Sequence, residues 1–118
     1  MAAELQDPSE HPLATKRLRV TVSDEPDVLV IHPHGDIDMA SAPVLRDCLT
    51  TATNECSEPI VIDLGAVTFM DSTGLDVLLH GQRALATKGL PLRVRNVPPN
   101  VRQVFDITGT GPLFDLDA

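Results

Sequence analysis

Asp71-Ser72-Thr73-Gly74 is the segment whose residue types and spacing hold the most chemistry. A helical pattern follows it, with Leu75, Leu78, Leu79, Leu85 and Ala86 inward, so these four residues are expected at a helix start. Backbone N–H groups at such an end lack intrahelical partners and the helix dipole favours negative charge there, which suits a phosphate. Ser72 offers a hydroxyl that could accept a covalent phosphate. The same residues also read as an ordinary cap, because Asp and Ser commonly begin helices. Residue chemistry leaves both readings open. Two catalytic readings find no support. No Gly-x-Ser-x-Gly elbow surrounds Ser72 and nothing in sequence places a base beside it, and no Gly-Lys-Ser/Thr follows to make a phosphate-cradling loop.

His32-Pro33-His34-Gly35-Asp36-Ile37-Asp38 alternates imidazoles and carboxylates near a strand end. Residues two apart on a strand share a face without converging on one ion unless a second element contributes, so these read as exposed histidines beside a turn. His80 has no ligand four residues on. Asp36, Asp38, Asp71 and Asp76 read as solvated or partner-facing charge in preference to a Mg²⁺ site. Neither a metal nor a cofactor is expected.

The elements that must position these groups follow from periodicity. Residues 1–15 are polar, carry Pro8 and Pro12 and show no period, so they read as a disordered leader to a single domain over 16–118. Leu18, Val20 and Val22 alternate with Arg19 and Thr21 as in a half-buried strand. The turn cluster at 23–27 leads to a second strand over 28–32, with Pro33 expected at a strand end or an edge. Ser41 reads as an N-cap with Pro43 in the first turn, and Val44, Leu45, Cys48, Leu49 and Ala52 fall on one helical face. Residues 60–64 read as a central strand, 92–95 as a fourth and 113–116 as a fifth. A third helix opens at Pro98-Pro99, with Val101, Val104, Phe105 and Thr108 on one face, and stops at Gly109. Alternating strands and helices predict an α/β domain with a mixed, largely parallel five-stranded sheet and helices packed on it.

Composition narrows the function. Of 118 residues 42% are hydrophobic, enough for one core without disulfides or a metal. Nine basic against 17 acidic residues give a net charge of −8, which argues against nucleic-acid binding and against an anionic membrane surface. No Trp or Tyr is available as a base-stacking platform. Cys48 and Cys56 form no Cys-x-x-Cys pair and read as reduced thiols. The N-terminal residues have neither a basic head nor an apolar stretch, so no signal peptide is expected, and no apolar run is long enough to span a bilayer. A cytoplasmic chain is expected.

Several segments together resemble the anti-sigma factor antagonists, single STAS-domain proteins of bacterial partner-switching systems. They are Gly35-Asp36-Ile37-Asp38 with Ser41-Ala42-Pro43-Val44-Leu45-Arg46, Ile60-Val61-Ile62-Asp63-Leu64, Phe69-Met70-Asp71-Ser72-Thr73-Gly74-Leu75, and Phe105-Asp106-Ile107-Thr108-Gly109. The resemblance implies a non-enzymatic switch used in stress-response or sporulation control. The serine after Asp in the family motif, here Ser72, would be phosphorylated by the cognate anti-sigma factor, a serine kinase using ATP. Unphosphorylated protein would bind that kinase and free the sigma factor, and a PP2C-type phosphatase would reverse the modification. The resemblance implies partner contacts at Asp36, Asp38, Ser41, Met70, Asp71, Ser72, Thr73 and Gly74. Where the family often has Gly after Gly-Leu, this chain has Asp76. A STAS scaffold or sensor module in another signalling complex is the alternative, and a small nucleotide-binding protein is a third.

Overall fold

The computed structural model describes residues 3–6 and 18–116. Its strands are β1 (Ala3–Gln6), β2 (Leu18–Glu25), β3 (Val28–Ile37), β4 (Ile60–Asp63), β5 (Val67–Met70) and β6 (Leu92–Arg95). Its helices are α1 (Ala42–Glu55), α2 (Ser72–Ala86) and α3 (Pro99–Thr108), followed by a 3-10 turn at Gly111–Phe114. The sheet runs β1-β2-β3-β4-β6, with β5 also paired to β3. The pairs β3–β4, β3–β5 and β4–β6 are parallel, while β1–β2 and β2–β3 are antiparallel. The mixed, mostly parallel α/β sheet is as expected.

Its strands are not the expected five. Residues 113–116 do not form a strand. Gly111 and Pro112 start a 3-10 turn that carries Phe114 into the core, edge to face with Phe105 at 5.5 Å between centroids. Val67–Met70, where no strand is expected from the sequence, is β5. Ala3–Gln6, expected within the disordered leader, pairs with β2 as β1, whereas residues 7–17 lie outside the described residues.

The central strand β3 explains how the site is delivered. Leu29–Ile31 pairs with β4, whereas Gly35–Ile37 pairs with β5, so β3 changes neighbour partway along its ten residues. Pro33 falls in the gap, buried inside the strand and not at an end as expected. The N–H groups of Leu29 and Gly35 donate to Pro59 and Ala66 on the β4/β5 side, so the donor that Pro33 lacks would have pointed into that gap. Gly35 sits where the β3–β5 register shifts, at φ 114°, a conformation that favours glycine.

Alternation then sorts the sheet's two faces. Leu18, Val20, Val22, Ile31, Ile60, Ile62, Leu92 and Val94 face one core with Val44, Leu45, Cys48 and Leu49 of α1 and Leu75, Leu78 and Leu85 of α2. Burial pushes the Cys48 thiol up to about 12, consistent with an inert core side chain. Ala86, expected inward, is exposed.

The opposite face holds the buried Val30 together with an ionic cluster. Arg95 Nε donates to Asp63 Oδ2 at 3.0 Å while its Nη1 and Nη2 reach the two oxygens of Glu25 at 3.3 and 3.0 Å. One guanidinium therefore ties β6 to β4 and to β2. Hydrogen bonding to Arg95 holds the Glu25 carboxyl below its ordinary range. Burial pushes Asp63 up, but the Gly65 N–H, Arg95 and Asn96 outweigh it and keep that carboxyl low as well.

Candidate functional site

The site lies where β3 and β5 end side by side. Ile37 pairs with Met70, and the Asp71 N–H donates to the Ile37 carbonyl at 3.2 Å. The loop after β3 and the head of α2 are thereby fixed to each other. Thr68 Oγ1 donates to Asp36 Oδ1 at 2.5 Å, a second tie between the two strands.

At the head of α2 the cap is Asp71. Its carboxylate accepts the Thr73 N–H at 2.9 Å, the Gly74 N–H at 3.4 Å and the Thr73 hydroxyl. Two of the helix's orphan donors are thus taken by a side chain of this chain. Ser72 is exposed in the first turn, outside that cap. The two readings of the segment prove compatible, because capping falls to Asp71 and leaves the Ser72 side chain facing solvent. A phosphate on Ser72 would nonetheless find the Thr73 and Gly74 donors occupied and the Asp71 carboxylate beside it.

The second half of the site is the loop from Asp36 to Ser41. Ser41 begins α1, but its side chain does not cap that helix. It is fully buried, donating to the Asp36 carbonyl at 2.8 Å and accepting the Asp38 N–H at 2.9 Å. Asp38 Oδ1 accepts the N–H groups of Ala40 and Ser41, both at 3.0 Å. Serine was expected here as a helix cap; it acts as the internal tie of a loop.

The expected contact residues divide by exposure. Ser72 is exposed, and Asp36, Asp38, Asp71 and Thr73 are half-buried. Ser41, Met70 and Gly74 are buried, so their side chains shape the site from beneath. Gly74 is needed for close approach. A Cβ there would lie 2.6 Å from Met70 Cγ and 2.8 Å from Ile37 Cγ2, so only glycine lets α2 start this near β3 and β5.

Other expected groups stay apart from this site. His32 and His34 stack at 6.4 Å within β3, with their Nε2 atoms 3.0 Å from the Ser23 hydroxyl and 3.3 Å from the Thr21 hydroxyl. They are half-buried strand residues, not exposed ones beside a turn, and burial together with Arg19 and His32 lowers the His34 pKa. Asp76, one turn into α2, lies 3.5 Å from His80 Nδ1. Among the described residues no group of three or more His, Cys, Asp or Glu side chains is placed to hold a metal ion. No helix among them is long and apolar enough to cross a membrane.

Sequence reasoning missed two residues. Met39 and Phe69 are 76% and 46% exposed at the margins of the loop and of β5. Neither stands out in the sequence, and only tertiary placement shows them exposed.

A mixed sheet backed by helices thus carries an exposed serine at a helix head beside an acidic loop. The STAS domain family matches residues 19–118, and the chain belongs to that family. It is 32% identical over 101 residues to the anti-sigma-B factor antagonist of Bacillus subtilis, covering 86% of this chain and 92% of that one. Among solved structures it resembles an anti-sigma factor antagonist from Mycobacterium paratuberculosis, at 31% identity and TM-score 0.77, over 90% of this chain and 87% of that one. It also resembles the Bacillus cell fate determinant SpoIIAA in its phosphorylated form, at 25% identity and TM-score 0.64, over 80% and 86% of the two chains.

Proposed function

We propose that this chain is an anti-sigma factor antagonist switched by phosphorylation of Ser72. Without phosphate it binds an anti-sigma factor that is itself a serine kinase, and so frees the sigma factor. In the transfer, the Ser72 oxygen takes the γ-phosphoryl group of ATP, its proton passes to a base on the kinase, and ADP leaves. The modified surface no longer fits the kinase, and hydrolysis by a PP2C-type phosphatase restores it. The chain contributes an acceptor and a binding surface and turns nothing over itself. It acts in the cytoplasm, without nucleic acid, membrane or cofactor.

The observation that carries this reading is the exposed Ser72 side chain at the head of α2, set apart from a Thr73 hydroxyl that is tied to Asp71. The likeness to a protein solved in a phosphorylated form supports it. The test is incubation with Mg-ATP and each purified ATP-binding anti-sigma protein of the source organism, followed by phosphopeptide mapping. One phosphate at Ser72 is expected, with Ser72→Ala unmodified but still bound to the kinase. No modification by any of these proteins, or modification elsewhere with Ser72 free, would refute the proposal.

A further inference from the structure

We infer that Met39 and Phe69 are the apolar anchors of the partner interface, and that the anti-sigma protein meets them with an apolar pocket rimmed by Lys and Arg. The inference rests on the function proposed above and names the chemistry of its partner.

Four large apolar side chains are exposed among the described residues: Met39, Phe69, Ile107 and Leu113. Two of them flank the acidic loop. Phe69 pairs in register with Asp36 across β3 and β5, and Met39 lies three residues on, in the turn held by Asp38 and Ser41. The pleat explains Phe69. With Met70 turned into the core, its neighbour must face the other way. The Ser41 ties explain Met39, because they fix the turn in a form that leaves residues 39 and 40 outside.

Single exposed apolar residues are ordinary, but this pair brackets the one loop that also presents Asp36 and Asp38. Phe and Met are enriched in the desolvated centres of interfaces, where a few such residues carry most of the affinity, with charged groups outside them. The site beside them carries the carboxylates of Asp36, Asp38 and Asp71, on a chain of net charge −8. A complementary partner surface is therefore basic around an apolar centre. Met39 is 76% exposed, so truncating it should leave stability nearly unchanged, whereas Phe69, 46% exposed, gives up some packing when truncated.

The experiment measures affinity for the same purified anti-sigma proteins in low and high salt, using wild type, Met39→Ala, Phe69→Ala and Ile107→Ala. The last is a control, 84% exposed near the C-terminal end of α3. The expected result is a Kd raised at least about tenfold by Met39→Ala and by Phe69→Ala, unchanged by Ile107→Ala, and rising with salt for wild type. Melting temperatures should match for wild type, Met39→Ala and Ile107→Ala, and Phe69→Ala is measured at a temperature where its own melting curve shows it folded. Wild-type binding that neither truncation weakens would overturn this inference and leave the proposed function standing. No binding of wild type to any of these proteins would overturn both.

Discussion

The carboxylate of Asp71 accepts the backbone N–H of Thr73 at 2.9 Å and the hydroxyl of the same residue. Two adjacent hydroxyls at the head of α2 are thereby made unequal. Thr73 is half-buried and tied to the cap, while Ser72 is exposed.

The first prediction follows from that inequality. Thr73→Ala should leave modification at Ser72 largely intact, since its hydroxyl is committed to Asp71. Asp71→Ala removes the cap and should cost about 1 kcal/mol of stability. Urea unfolding measures the cost and phosphopeptide mapping the site. Phosphate moving to Thr73 in wild-type protein would contradict the inequality.

A second prediction concerns the packing beneath the site. Gly74→Ala puts a Cβ against Met70 and Ile37, and overpacking of this kind typically costs about 1–3 kcal/mol. Met70→Ala alone opens a cavity and should cost about 2–5 kcal/mol. The double variant should be less destabilised than the two costs added, because the shortened residue 70 makes room for the new methyl group. A double-mutant cycle in urea checks this. Strict additivity would mean that Ile37, and not Met70, sets the limit.

Much of this fold was legible because strands β2, β4 and β6 keep a strict alternation or a short apolar run. The errors have local causes. β5 buries Val67 and Met70 but exposes Thr68 and Phe69, a pattern without alternation, since its two ends face the core and its middle meets Asp36 and α3. Leu113, Phe114 and Leu116 look like strand residues, yet the turn needs only Phe114 against Phe105. Pro33 misled because a proline's tolerance depends on what its neighbour strands do, which sequence does not display. At the site, Asp71-Ser72 was readable as a motif. Which of its companions are buried was not, because Met70 is set by its pairing with the distant Ile37 and Ser41 by a loop folded back on Asp36 and Asp38.

A third prediction links the ionic tie to pH. Folded Asp63 and Glu25 carboxyls are held low, so the unfolded chain binds more protons as pH falls through the carboxylate range. Their stabilisation is fully present above the unfolded values near 4 and is lost as pH drops through the lowered folded values. His34 adds an earlier loss. Its folded pKa is also low, so the stability it contributes is present above about 6.5 and fades as pH falls through its folded value. Urea midpoints should therefore decline gently from pH 7.5 to pH 5 and more steeply below pH 4. Arg95→Gln should flatten the lower limb. His34→Gln should flatten the upper one. Arg95→Gln unfolding with an unchanged acid limb would show that the guanidinium is not what lowers the two carboxyls.

The last prediction is that phosphate on Ser72 acts locally and leaves the fold intact. A phosphoserine carries about −1.5 to −2 charges near neutral pH. At the head of α2 the helix dipole favours that charge by about 0.3–1 kcal/mol at an exposed position. Asp71, immediately before it, repels the charge, and so does Asp76 one turn on. The two effects are of similar size, so the melting temperature should move little. At a partner surface no such balance exists, because like or unsatisfied charge pressed into an interface costs several kcal/mol and each 1.4 kcal/mol is tenfold in affinity. Backbone amide shifts on phosphorylation should accordingly be confined to the first turn of α2, the ends of β3 and β5, and the loop from Asp36 to Ser41. Shifts spread over β4 and β6, or undiminished affinity for the anti-sigma protein after phosphorylation, would mean that the switch does not work by local charge at Ser72.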